Sequence, residues 1–166
     1  MKKRRFFALF LVLGLLVSLL SVPASAFEEI DVDARAALLV EKETGEILYE
    51  KNAHEKNYPA SITKLTVALL VFEAIDAGQL SLDQPITAHE SAFEGLSIYG
   101  STAGIKAGEV LTVEQLLQCM LIVSANEACN ILAEAVCGEG NVSQFVQRMN
   151  ERVAALGCEN THYVNT

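Results

Sequence analysis

A single lysine inside a long apolar stretch limits what this chain can fold into. Lys64 is the only charged side chain between Lys56 and Glu73, and most of its neighbours are Ala, Val, Leu, Ile or Phe. A helix that is apolar on nearly every side is buried in a protein core. Burying an ammonium group is costly, so the sequence predicts a core helix whose lysine has a role other than solubility.

Ser61 lies three residues before Lys64, in the first turn of the predicted helix, which Pro59 begins. Side chains at i and i+3 share one helix face. Loss of water favours the neutral amine of a buried lysine, and a helix N-terminus stabilises an alkoxide at the serine. The pair is therefore typical of a nucleophile beside its general base. In the alternative interpretation Ser61 only caps the helix, and Lys64 extends its ammonium to the surface.

The first 26 residues are typical of a secretory signal peptide. Four basic residues precede an uncharged stretch, Phe6 to Val22, and an A-x-A cleavage site ends at Ala26. We expect cleavage after Ala26, which leaves one domain of residues 27–166. The alternative is an uncleaved signal that anchors the chain, because the apolar run approaches the length that spans a bilayer.

The chain that remains after this cleavage is strongly acidic. The formal net charge of the whole sequence is −9, and removing the four cations of the signal leaves −13. Binding to nucleic acid or to anionic lipid depends on clustered Lys and Arg, whereas the basic residues after position 26 are scattered. We therefore expect no nucleic-acid partner, and a membrane contact only through an uncleaved signal.

The four cysteines show neither C-x-x-C spacing nor a Cys/His ligand pattern, so we expect no zinc site. Three of them lie in apolar helical stretches, where free cysteine packs as a small hydrophobic side chain. We predict free thiols, and disulfides are the alternative because export would permit oxidation. These residues are Cys119, Cys129, Cys137 and Cys158.

Turn residues and hydrophobic spacing predict the other elements. Two strand-forming runs, Ala36 to Val40 and Glu46 to Tyr49, flank Gly45 and predict a β-hairpin. The glycine-rich segment from Gly95 to Gly108 is predicted to be a surface loop. Three further helices are predicted at Leu116 to Val123 after a capping box of Thr112 and Gln115, at about Glu127 to Val136 before Gly138, and from Val142 to Leu156 after a cap at Asn141.

A second polar group, Ser124-Ala-Asn126, interrupts the apolar helices. Buried polar groups need hydrogen-bond partners. Ser124 could relay a proton to a leaving group, and the Asn126 amide has both donor and acceptor capacity for a substrate backbone. In the alternative interpretation Ser124 and Glu127 form a capping box that stabilises the next helix without any chemistry.

Ser61-Ile-Thr-Lys64 followed by Ser124-Ala-Asn126 matches two of the three motifs shared by penicillin-binding proteins and class A β-lactamases. Flanking stretches resemble the low-molecular-weight serine D-Ala-D-Ala carboxypeptidases over essentially the whole chain after residue 26. They include Thr44-Gly-Glu-Ile-Leu-Tyr49, Gly108-Glu-Val-Leu-Thr-Val-Glu114 and Thr161-His-Tyr-Val-Asn165. The resemblance implies an α/β (α+β) fold of the β-lactamase/transpeptidase type, mostly helical here, with the hairpin at its N-terminus.

The resemblance also implies a reaction. In this family the serine attacks the carbonyl between the terminal D-alanines of a peptidoglycan stem pentapeptide, and water hydrolyses the resulting acyl-enzyme. The implied roles are nucleophile for Ser61, general base for Lys64, a second catalytic residue for Ser124 and substrate binding for Asn126. β-Lactam antibiotics would acylate Ser61 as inhibitors, no metal or cofactor is implied, and the protein would be exported to the extracytoplasmic envelope of a bacterium.

The third motif of the family, Lys-Thr-Gly on a sheet strand, does not occur in the 166 residues. In the family this strand binds the substrate carboxylate and supplies half of the oxyanion hole, and losing one oxyanion donor costs about a hundredfold to a thousandfold in turnover. We interpret residues 27–166 as the N-terminal part of the catalytic domain, with the C-terminal sheet strands missing and activity impaired. Two alternatives stay open, a class A β-lactamase-like hydrolase and a truncated, non-catalytic envelope protein.

Overall fold

The computed structural model of the chain describes residues 31–166. The signal peptide predicted at residues 1–26 lies outside this range. The described residues fall into two compact units, residues 31–56 and Asn57–Thr166. Within residues 31–166, none of the helices combines the length and the apolar character needed to cross a bilayer.

The smaller unit contains the predicted β-hairpin. Strand β1 (Ala37–Val40) pairs antiparallel with β2 (Ile47–Lys51), and Ala37 lies opposite Lys51. The carboxylate of Glu41 closes the connecting turn by accepting hydrogen bonds from backbone N–H groups two and three residues later. A two-stranded ribbon has no second layer of its own to cover its apolar residues. Four apolar residues of the hairpin are therefore more than half exposed. They are Leu38, Leu39, Ile47 and Leu48.

The larger unit packs four helices around one core. They are α1 (Thr63–Asp76), α2 (Val113–Ile122), α3 (Asn126–Cys137) and α4 (Val142–Ala155). Helix α3 is the central element, because it packs against the other three and is buried at every position from Glu127 to Glu134. Each large apolar side chain that is fully buried in this core stabilises the fold by about 1.5–3 kcal/mol. The largest fully buried ones include Phe145, Leu116, Met120, Ile131 and Leu132.

Helix α1 is buried on one face only. Val67 and Val71 are fully inaccessible, whereas Leu65 and Phe72 remain 63% and 45% exposed. The prediction of a helix buried on nearly every side is therefore wrong. The apolar composition of the segment indicated burial, but composition does not show which faces neighbouring elements cover.

A second two-stranded sheet was not predicted from the sequence. Strand β3 (Pro85–Thr87) pairs antiparallel with β4 (Val110–Thr112), and Pro85 lies opposite Thr112. Both strands have only three residues, and proline cannot donate a ladder hydrogen bond. Such short strands form through pairing across the fold, so their local sequence signal is weak.

Of the three helix ends compared next, in α2, α3 and α4, two agree with the predictions and one differs. Thr112 and Gln115 form the predicted capping box of α2, in which each side chain binds the backbone N–H of the other residue. Gly138 has a φ of 97° and ends α3 as predicted. Asn141 occupies the N-cap position of α4, but its side-chain amide donates to two preceding carbonyls and does not cap the helix.

The cysteines are free thiols, as predicted. Cys129 in α3 is fully buried, and its thiol donates to the carbonyl of Ala125. Burial raises the pKa of this thiol to about 12, the nearby Lys64 opposes the rise, and Glu127 adds to it. Cys158, after α4, is exposed. The four thiols therefore differ widely in their access to water.

Candidate active site

Lys64 is buried, as the sequence predicted, with 6% of its surface exposed. Its Nζ atom donates a hydrogen bond to Asn126 Oδ1 at 2.9 Å and lies 3.4 Å from Ser61 Oγ. The side chains of the two sequence motifs therefore meet at this lysine. A long amine-to-hydroxyl distance is common in an unliganded site and shortens when substrate binds.

Ser61 lies in a short 3₁₀ turn, Ala60–Ile62, that leads into α1. It therefore precedes α1, rather than belonging to its first turn. The hydroxyl of Ser61 accepts a hydrogen bond from Ser124 Oγ at 2.8 Å. Ala60 has a φ of 50°, in the left-handed region that residues with a Cβ atom rarely adopt. Backbone strain of this kind is concentrated at functional sites.

Ser124 is also in the left-handed region, with a φ of 63°. The residue at a helix N-cap usually has an extended backbone, and in α3 this position is occupied by Ala125. The carboxylate of Glu127 binds a loop instead of the Ser124 backbone. The capping-box interpretation of Ser124 and Glu127 is therefore wrong, because the N-cap of α3 is Ala125 and no side chain caps this helix.

Asn126 is the first residue of α3. Its backbone N–H donates to the carbonyl of Ser101 at 2.9 Å, which attaches the helix to the loop beside it. Lys64 Nζ donates to the amide oxygen, so the Nδ2 donor of Asn126 is left for another partner. The Asn126 amide can therefore bind a carbonyl group in the cleft.

Ser61, Lys64 and Asn126 line a cleft of about 830 Å³, a size typical of small-molecule and peptide sites. Ser124 contacts Ser61 but is not among the residues that line this cleft. The loop from residue 94 to residue 101 forms another wall, together with residues of α4 and the last residues of the chain. The lining also includes Glu94, Tyr99, Asn130, Val146 and Thr166.

Asn130 is a cleft residue that the sequence analysis missed. Its Nδ2 donates to the carbonyl of Ala92 at 2.8 Å, and its Oδ1 accepts from the hydroxyl of Thr166 at 2.7 Å. Asn130 therefore binds two segments that border the cleft. A usable signal was present, because a polar residue four positions after Asn126 lies on the same face of an apolar helix.

The arrangement is suited to acyl transfer. Ser61 Oγ is within reach of a buried amine and of a second hydroxyl, so its proton has an acceptor when the oxygen attacks a carbonyl. Asn126 adds a donor that can orient the substrate. Residues 31–166 contain no group of three His, Cys, Asp or Glu side chains that could hold a metal ion.

The chain is similar to known proteins in sequence and in structure. The chain matches the family described as D-alanyl-D-alanine carboxypeptidase over residues 23–166. The D-alanyl-D-alanine carboxypeptidase DacF of Bacillus subtilis (strain 168) is 34% identical in an alignment of length 157 that covers 90% of this chain and 39% of DacF.

Two solved structures are also similar to this chain. The D-alanyl-D-alanine carboxypeptidase DacD from Francisella tularensis has a TM-score of 0.74 and 36% identity, over 83% of this chain and 32% of DacD. Penicillin-Binding Protein D2 from Listeria monocytogenes, in its ampicillin-bound form, has a TM-score of 0.68 and 29% identity, over 84% of this chain and 53% of that protein. This likeness confirms the predicted fold class. The chain spans only 39% of the length of DacF.

Proposed function

Because the chain belongs to the D-alanyl-D-alanine carboxypeptidase family, we propose that it carries the acylation site of a serine-type D-Ala-D-Ala carboxypeptidase. The observation that carries this proposal is the position of Ser61 Oγ, which Ser124 Oγ contacts at 2.8 Å and Lys64 Nζ approaches to 3.4 Å. The substrate is a peptidoglycan stem pentapeptide that ends in D-Ala-D-Ala, and the first product is free D-alanine.

In the proposed reaction Ser61 Oγ attacks the carbonyl carbon of the penultimate D-alanine. The hydroxyl proton passes to Lys64 Nζ in its amine form, and an oxyanion develops on the substrate. When the C–N bond breaks, the Ser124 hydroxyl passes a proton to the amine of the leaving D-alanine and recovers one from Lys64. The acyl group stays on Ser61 as an ester until a water molecule hydrolyses it.

Asn126 binds the substrate in this proposal. Its Oδ1 holds Lys64 at 2.9 Å, so its Nδ2 is the atom that donates to a carbonyl of the stem peptide. One side chain thus links the position of the base to the position of the substrate. An interaction of this kind raises the rate by keeping the reacting groups in place.

β-Lactam antibiotics are the proposed inhibitors. The related Listeria monocytogenes Penicillin-Binding Protein D2 has been solved in an ampicillin-bound form. In this chain such a compound would react with Ser61 in place of the peptide. We place the protein in the extracytoplasmic envelope of a bacterium, after removal of residues 1–26.

Turnover by the 166-residue polypeptide is proposed to be slow, because no Lys-Thr-Gly occurs among these residues. Residues 27–166 then act as the N-terminal part of the catalytic domain and supply the nucleophile and the base. The oxyanion donor and the carboxylate-binding lysine would belong to the strand that carries the third motif.

Labelling with a fluorescent penicillin tests the proposed function. We expect a slow, stable covalent adduct that mass spectrometry locates on Ser61 and that Ser61→Ala abolishes. Ser143→Ala is the matched control, because Ser143 lines the same cleft without a hydrogen bond to Ser61 among those described. Rapid loss of the label would indicate a β-lactamase-like hydrolase. No label at all would support a non-catalytic envelope protein.

A further inference from the structure

Glu127 is a buried carboxylate directly after Asn126, with 2% of its surface exposed. Its Oε1 accepts three hydrogen bonds: from Thr102 Oγ1 at 2.7 Å, from the Ala103 N–H at 2.7 Å and from the Gly104 N–H at 3.1 Å. Removing a carboxylate from water is costly unless such donors replace the water. Hydrogen bonds to a charged acceptor are roughly twice as strong as those between neutral groups.

The three donors, at residues 102–104, directly follow the loop segment that forms a wall of the cleft. Ser97, Gly100 and Ser101 line the cleft, and Thr102 follows them directly. The carbonyl of Ser101 also accepts the backbone N–H of Asn126 at 2.9 Å. The first turn of α3 therefore holds this loop at two adjacent points, one from the Asn126 backbone and one from the Glu127 side chain.

The same loop reaches the amide end of Asn126. A Cβ atom built on Gly100 would lie 2.5 Å from Asn126 Nδ2 and 3.1 Å from the carbonyl oxygen of Ser97. Only glycine allows so close an approach, because a Cβ at this distance would push the amide or the loop away. The position of the Asn126 donor thus depends on the position of the loop at Gly100.

We propose that Glu127 is a positioning residue for substrate binding, which acts by holding the loop of residues 100–104 against the Asn126 amide. Lys64 holds Oδ1 of this amide on one side, and the loop confines Nδ2 on the other. Loss of the Glu127 carboxylate would release the loop and let the Nδ2 group of Asn126 move away from the substrate, while Lys64 keeps its hydrogen bond to Oδ1. The functional consequence of this inference rests on the proposed function, but the effect on the loop does not.

Four variants of the 166-residue chain test the inference. Glu127→Leu removes the acceptor, and Glu127→Gln keeps an acceptor oxygen of the same reach. Glu134→Leu is the matched control, because Glu134 is also buried in α3 and accepts a backbone N–H, from Gly140 at 2.9 Å. Gly100→Ala adds a Cβ atom next to Asn126 Nδ2 and so disturbs the contact between the loop and this amide from the side of the loop.

The kinetic measurement separates binding from chemistry through the concentration dependence of fluorescent penicillin labelling. In Glu127→Leu we expect the half-saturating concentration to rise about tenfold, with a change of less than about threefold in the limiting rate. Gly100→Ala should give the same pattern, and Glu127→Gln should restore values near those of the unchanged chain. A purely structural role would instead reduce the active fraction in Glu127→Leu and in Glu134→Leu alike, and this result would overturn the inference.

Hydrogen exchange and NMR give a measurement that needs no acylation. The amides of Ala103 and Gly104 should exchange faster in Glu127→Leu than in Glu134→Leu or Glu127→Gln, and the side-chain amide signal of Asn126 should shift. Unchanged exchange and an unchanged Asn126 signal in Glu127→Leu would overturn the inference. Absence of labelling in the unchanged chain would count against the proposed function, while these two signals would still decide the role of Glu127.

Discussion

Lys64 Nζ donates a hydrogen bond to Asn126 Oδ1 at 2.9 Å, across 62 residues of sequence. This contact joins the start of α1 to the start of α3 and brings the first two sequence motifs into one cleft. Since Ser61 precedes α1 by two residues, the contact also sets the position of the amine relative to the serine hydroxyl. Asn126 therefore holds Lys64 in place, whereas the group that Lys64 would deprotonate is the hydroxyl of Ser61.

Lys64→Met should lower the rate of labelling by fluorescent penicillin at least a hundredfold, because a general base contributes about 10²–10⁴-fold. Methionine keeps the apolar stem and removes the amine. Lys106→Met is the matched control. Lys106 is exposed and does not line the cleft. Labelling of Lys64→Met at the unchanged rate would rule out the assigned role of this lysine.

The 166-residue chain should release D-alanine from a D-Ala-D-Ala peptide about a hundredfold to a thousandfold more slowly than a full-length relative. The proposed physical reason is that these residues contain no Lys-Thr-Gly, the motif whose strand supplies an oxyanion donor in the family. Release of D-alanine is measured with a coupled oxidase assay, with Ser61→Ala as the background. Turnover close to that of a full-length relative, lost in Ser61→Ala, would contradict this prediction.

Stability should fall at alkaline pH because of Cys129. Burial raises the pKa of this thiol from its ordinary 9.0 to about 12. The unfolded chain loses the proton above its lower pKa while the folded chain keeps it, so the stabilisation is complete below pH 9.0 and is lost as pH rises toward 12. The loss amounts to about 4 kcal/mol at most.

Urea unfolding of the unchanged chain and of Cys129→Ala measures this effect. Comparing the two chains cancels the other groups that titrate at high pH. The free energy of unfolding should fall more steeply with pH in the unchanged chain between about pH 9 and about pH 11. Parallel pH dependences in the two chains would show that Cys129 does not titrate as its burial requires.

Thr112→Ala should destabilise the larger unit by about 1 kcal/mol, because it removes the side-chain acceptor at the N-cap of α2. Thr112→Ser keeps this acceptor and is the matched control. Urea unfolding followed by circular dichroism measures both. Equal loss of stability in the alanine and serine variants would mean that the methyl group of Thr112, and not the cap, carries the effect.

Export from a bacterial host should remove residues 1–26, so that the secreted chain begins at Phe27. The mass of the purified protein and its N-terminal sequence measure the cleavage site. Ala26→Arg, which places a large charged residue at the A-x-A site, should leave the longer chain attached to the membrane. Recovery of unprocessed chain from the membrane fraction in both cases would favour the uncleaved anchor.

Local sequence signals predicted several elements of both units correctly. The capping box of Thr112 and Gln115, the end of α3 at Gly138 and the hairpin around Gly45 all depend on residues close together in the chain. Such signals act through backbone conformation and neighbouring hydrogen bonds, so they can be recognised in the sequence. The pair of β3 and β4 was missed because its stabilising contacts join segments far apart.

Ser124 shows where local reasoning failed. Its spacing to Glu127 matches a capping box, yet Ser124 has a left-handed backbone, Ala125 occupies the N-cap of α3, and no side chain caps this helix. Glu127 likewise uses its carboxylate on the loop at residues 102–104. When two local arrangements differ by about 1 kcal/mol, a few tertiary hydrogen bonds are enough to decide between them.

By itself, the sequence determined the four helices, the β-hairpin, the order of the two motifs and the burial of Lys64, because these depend on hydrophobic spacing and on the chemistry of single residues. The tertiary structure alone decided that Ser124 contacts Ser61, that Asn126 binds Lys64 and that Glu127 holds the cleft loop. Each of these contacts joins residues more than twenty positions apart. Only the packing of α1, α3 and the loop into one core brings such groups within hydrogen-bond distance.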